Sequence, residues 1–135
     1  MIVSAKHLAE WRFEMTAGRH RLVTDQLPEY GGTDHGPMAS EVLLCAIASC
    51  FGQATLHVAE RMHKTIPNLS LEVEADKDQK AFRFADVTIT VTADCDLATL
   101  EKATGMAKKY CFVTNSLAVP VKVVCLTPSL DGCCG

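Results

Sequence analysis

A chain of 135 residues, 48% hydrophobic and 21% charged, reads as one globular domain long enough to bury a core. Its net charge of −3, with basic residues scattered and only Lys108 and Lys109 adjacent, offers no footprint for nucleic acid or an anionic membrane surface. The start M-I-V-S-A-K-H-L-A-E-W lacks the apolar stretch of a signal peptide, and the longest apolar run, residues 42–49, is far short of the roughly 20 residues that span a bilayer.

The expectation is therefore a cytoplasmic protein, where thiols stay reduced. In that setting seven cysteines point to catalysis, redox sensing or metal binding before a disulfide framework.

In chain order, W-R-F-E-M-T-A-G-R-H-R-L-V-T-D alternates apolar and polar residues on both sides of Ala17 and Gly18, which predicts a β-hairpin. L-P-E-Y-G-G-T-D-H-G-P carries the proline and glycine punctuation of a loop. A helical pattern covers residues 40–63, with no proline until Pro67. Its first half is apolar nearly all round, so it must be buried on every face. In a small domain that asks for a sheet on one side and a second subunit on the other.

Two period-two strands follow, L-S-L-E-V-E-A-D and F-R-F-A-D-V-T-I-T-V-T-A, joined by D-K-D-Q-K. L-A-T-L-E-K-A-T-G-M-A-K-K-Y predicts an amphipathic helix with Lys108 and Lys109 in its last turn. C-F-V-T-N-S-L-A predicts a short helix and V-P-V-K-V-V-C-L a closing strand, with residues 126–135 as a flexible tail. The order is β-β-α-β-β-α-α-β, an α+β domain.

The cysteines differ in setting. Cys50 lies mid-helix in A-I-A-S-C-F-G-Q-A-T-L, where apolar neighbours disfavour an ionised sulfur unless a cation is near. The candidate cations are Arg12, Arg19 and Arg21 of the hairpin. Cys111 opens the short helix, so its thiol meets unpaired backbone N–H groups and the positive end of a dipole. Cys45 is about 140° round the helix from Cys50 and is expected to be core packing, like Cys125. Cys95, between two aspartates, is a poor thiolate. Cys133 and Cys134 form an adjacent pair in the tail, open to metal binding, resolving chemistry or no role.

No C-x-x-C, H-E-x-x-H, G-x-S-x-G, P-loop or G-x-G-x-x-G motif is present. No cofactor or metal is expected. His35, in G-T-D-H-G-P, is a possible ligand or base but a loop histidine is commonly just solvated.

Three segments in order, L-V-T-D-Q-L-P-E-Y-G-G-T-D-H-G-P, S-E-V-L-L-C-A-I-A-S-C-F and K-K-Y-C-F-V-T-N-S-L-A-V-P-V, resemble the OsmC/Ohr family of osmotically inducible and organic hydroperoxide resistance proteins. The likeness runs over residues 11–126 and lies in the combination of motifs. It implies an OsmC-like fold, with a long central helix packed on antiparallel sheet in an intertwined homodimer. It also implies a thiol peroxidase acting on organic hydroperoxides. Cys50 matches the peroxidatic cysteine and Cys111 the resolving one, with a dithiol such as a lipoyl group as reductant.

Arg12 matches the family's active arginine, with Arg19 the alternative. Where hydroperoxide reductases carry a glutamate ten residues before the reactive cysteine, this chain has Ser40; Glu41 instead matches the broader OsmC-like pattern. Phe112 replaces the proline common after the second cysteine, and the paired tail cysteines lie outside the pattern. A different class of reading is a non-catalytic OsmC-like module that binds a small apolar ligand or senses redox state.

Overall fold

A computed structural model of the protein describes residues 1–128. The tail residues 129–135, with Cys133 and Cys134, lie outside the described residues. The fold is α+β, and the backbone divides into two compact units, one of residues 1–43 and one that begins at residue 44.

The N-terminal unit is a three-stranded antiparallel meander: β1 (Val3–Ala9), β2 (Arg12–Ala17) and β3 (His20–Thr24). The expected hairpin is β2–β3, turning at Gly18, whose φ of 59° suits a residue without Cβ. β1 is an additional strand. Its pairing of Val3 with Ala17, Ala5 with Met15 and His7 with Phe13 gathers Val3, Ala5, Phe13, Met15 and Leu22 on one face. Val3, Phe13 and Leu22 remain exposed there.

The first long helix, α1 (Ala39–Arg61), runs 23 residues from the N-terminal unit into the C-terminal one. By length and composition it could cross a membrane, a property not visible in the short apolar run alone. Its stripe Ile47, Phe51, Ala54, Thr55, Val58 and Ala59 is buried in protein, which makes it a core helix.

In the C-terminal unit, β4 (Ser70–Asp78) pairs antiparallel with β5 (Arg83–Thr92). Val87, Ile89 and Val91 of β5 are fully buried, while Leu71, Val73 and Ala75 of β4 line the same core. Gly52 of α1 lies against Leu71, where an added Cβ would meet Leu71 Cδ1 at 3.1 Å. The connection turns at residues 79–82, later than D-K-D-Q-K suggests.

α2 (Leu97–Ala107) buries Leu100, Ala103, Thr104 and Ala107 at helical spacing. Asp96 caps it, accepting the Thr99 N–H at 2.8 Å. Lys108 is the cap beyond its last turn, so the two lysines follow the helix rather than ending it. After the one-turn α3 (Phe112–Asn115), β6 (Val121–Leu126) joins β5 in parallel, Val91 beside Cys125. This sheet is therefore mixed: antiparallel at β4–β5 and parallel at β5–β6. The helical passage between β5 and β6 is what permits the parallel pairing.

Candidate functional site

Cys50 and Cys111 belong to one hydrophobic cluster of the C-terminal unit. Cys111 is 0% exposed within it, and Cys50, half-buried on α1, packs against it. In the chain the run around Cys50 is buried on one side, at Ile47, Phe51 and Ala54, and exposed on the other, at Ser49, Gln53 and Leu56, where the sequence predicts burial on every face. Cys111 is the N-cap of α3, and its carbonyl accepts the Asn115 N–H at 3.0 Å. The helix it caps is a single turn, so the expected dipole is short. Phe112, immediately after Cys111, is 85% exposed.

Of the remaining described cysteines, Cys95 and Cys125 pack against the same core as Cys50, and Cys45 does not. Cys125 Sγ lies 3.2 Å from the Thr104 hydroxyl, which already donates to the Leu100 carbonyl at 3.0 Å. Burial, together with Asp96, Asp94 and Cys125, pushes the Cys95 thiol up, as its two aspartates lead one to expect. Cys45 differs from expectation: it is exposed in the chain, because the stripe Cys45, Ser49, Gln53 and Leu56 faces away from the core.

Arg12 and Glu41 sit in the N-terminal unit. Arg12 opens β2, half-buried, with its Nη2 4.0 Å from Glu10 Oε2. Its Nε is the one buried side-chain nitrogen or oxygen without a hydrogen-bond partner among the described residues. Arg19, the alternative, is exposed in the β2–β3 turn. Glu41 occupies the first turn of α1, and its Oε2 accepts the Met38 N–H at 2.8 Å. That is the reciprocal bond of a capping box, which fixes where α1 starts. An open hollow of about 380 Å³ lined by Val3, Ala5, Met15, Ala17, His20 and Leu22 lies on the sheet and includes none of Cys50, Cys111, Arg12 and Glu41.

Asp25 escapes sequence reasoning altogether. It is 3% exposed, and its carboxylate accepts the Gln26 N–H at 2.8 Å, the Thr33 hydroxyl at 2.7 Å, the Thr33 N–H at 3.2 Å and the His35 N–H at 3.1 Å. Burial alone would raise its pKa, but those four donors hold the carboxyl well below the usual carboxylate range. The Asp25 N–H also donates to the Pro37 carbonyl at 3.2 Å, so the loop is tied to the strand end at two points. His35 is exposed, its Nδ1 2.7 Å from the Thr33 hydroxyl. The only sequence signal for this node is an aspartate at a strand end followed by a Gly-Gly-Thr loop.

The family described as OsmC-like protein matches residues 32–125. No curated protein matches the chain. Among solved structures, a Psychrobacter arcticus protein described as a candidate osmotic stress induced and detoxification response protein superposes with a TM-score of 0.81 at 19% identity, covering 92% of this chain and 94% of that one. The Legionella pneumophila organic hydroperoxide resistance protein OsmC gives a TM-score of 0.73 at 21% identity, covering 93% of this chain and 94% of that one. The Bacillus subtilis organic hydroperoxide resistance protein OhrB gives 0.68 at 22% identity, covering 93% and 96%. Both the family match and these folds converge on the α+β arrangement built above: this chain belongs to the OsmC-like protein family.

Proposed function

We propose that the chain is a thiol peroxidase that reduces organic hydroperoxides through Cys50 and Cys111, working as a cytoplasmic homodimer without a cofactor. The observation that carries this reading is that Cys50 packs against the core that buries Cys111, these being the two cysteines that match the OsmC/Ohr pattern. Two similar proteins described as organic hydroperoxide resistance proteins support the substrate class.

The Cys50 thiolate attacks the terminal oxygen of the hydroperoxide, and the O–O bond breaks. The departing alkoxide takes a proton and leaves as alcohol, while the sulfur becomes a sulfenic acid. Cys111 then attacks that sulfur, water departs, and a disulfide forms. Two electrons have moved from the thiols to the peroxide. A small dithiol of the lipoyl class reopens the disulfide by exchange. Apolar surroundings favour alkyl or lipid hydroperoxides over hydrogen peroxide.

Arg12 is assigned as the cation this chemistry needs; its incompletely paired guanidinium supports this. Glu41 serves the same chemistry indirectly, by capping the helix that carries Cys50. The homodimer accounts for the exposed stripe through Leu56 on α1 and the exposed Val3, Phe13 and Leu22 of the sheet. Sedimentation should give twice the chain mass.

The test is consumption of cumene hydroperoxide with dihydrolipoamide. Cys111→Ser should complete one turnover and then accumulate overoxidised Cys50. Normal cycling of that variant would remove Cys111 from the mechanism. If Cys50→Ser and wild type behave alike, a ligand-binding module with bystander thiols is the better reading.

A further inference from the structure

We infer that Glu10 is a positioning residue that orients the Arg12 guanidinium. The inference deepens the proposed function, since it concerns the arginine assigned there. Glu10 and Trp11 form the two-residue turn between β1 and β2, closed by the Ala9–Arg12 pair. Glu10 has a φ of 49°, in the left-handed region where glycine or asparagine is favoured at such a turn. A glutamate there gives up turn stability, and strain of this kind collects at functional positions.

Its side chain supplies the reason. Glu10 is the one acidic partner of Arg12 among the described residues, at 4.0 Å. The other acids of the unit that could serve are committed. Following the β2–β3 register one step past the Phe13–Thr24 pair sets Arg12 across from Asp25, whose carboxylate is filled by four donors of its own loop. Glu41 is bound to the Met38 N–H. That leaves Glu10 beside Nη2, with the buried, unpartnered Nε next to it on the same edge of the guanidinium. A guanidinium anchored through Nη2 presents its Nη1 donors in a fixed direction, as recognition of an anion or a peroxide oxygen requires. The His7 Nε2, 3.0 Å from the Glu10 carbonyl, braces the turn from β1.

The strain makes the inference separable from a structural role. Glu10→Gly relieves the positive φ, so its melting temperature should rise or hold, while Glu10→Gln keeps the size and removes the charge. Two readouts are made on the full chain: NMR of the Arg12 Nε–H and its rotation about Nε–Cζ, and steady-state turnover of cumene hydroperoxide with dihydrolipoamide. The expected result is a hindered guanidinium in wild type that rotates freely in both variants, with kcat/KM reduced roughly 10- to 100-fold, the scale of a misoriented active group. Unchanged guanidinium rotation in both variants would overturn the inference whatever the turnover, as would full turnover in both variants of an active enzyme. A wild type with a hindered guanidinium that Glu10 controls but no peroxide turnover would instead overturn the peroxidase reading and leave the orientation by Glu10 standing.

Discussion

The Asp25 carboxylate accepts the Thr33 hydroxyl at 2.7 Å, across eight residues of chain. This bond and its three companions turn an irregular loop into a fixed element at the end of β3. An asparagine side chain at this position would set an amide NH2 against donors that need an acceptor. Asp25→Asn should therefore lower the melting temperature by about 5–10 °C, read by thermal unfolding.

The same carboxylate gives a pH signature. Its folded pKa is depressed, so its stabilisation is fully present above its unfolded value of about 3.9 and is lost as pH falls through the folded value. Wild type should lose stability below about pH 4, and Asp25→Asn should flatten that limb of a melting temperature against pH curve.

Glycines test how tightly the loop is packed. A Cβ on Gly32 would meet the Gln26 carbonyl oxygen at 2.0 Å, and one on Gly36 the Val23 carbonyl oxygen at 2.1 Å. Gly32→Ala and Gly36→Ala should each cost about 3 kcal/mol or more in denaturant unfolding, because backbone must move. Gly105, within α2 and with nothing near its missing Cβ, is the contrast. Gly105→Ala should gain about 0.5–1 kcal/mol.

Thiol reactivity should follow the local chemistry. At neutral pH Cys95 should alkylate at least about tenfold more slowly than an unhindered exposed thiol, because burial and its aspartates disfavour the reactive anion. Asp94→Asn should speed it. Peptide mass spectrometry after timed iodoacetamide exposure reads both rates.

The sequence made some of this legible and hid the rest for physical reasons. The β2–β3 hairpin, α1, α2, α3 and the strands of the second sheet all carry strong periodicity or turn chemistry in their own residues. β1 does not: on the face it shares with Phe13 and Met15 it carries the small Ala5 and the polar His7, so alternation is faint until those larger side chains stand opposite. Nor does alternation encode strand direction, which is why the parallel β5–β6 pairing emerges only in the fold. For the candidate site, only the buried side of the run around Cys50 was readable from its apolar neighbours. The Asp25 node was not, because its donors come from eight and ten residues away.

The most direct measurement is peptide mapping by mass spectrometry under non-reducing conditions, after one equivalent of cumene hydroperoxide is added to the reduced protein. A disulfide joining Cys50 to Cys111, with the peroxide converted to its alcohol, is the predicted outcome. Unreacted peroxide with both thiols still free would contradict the account.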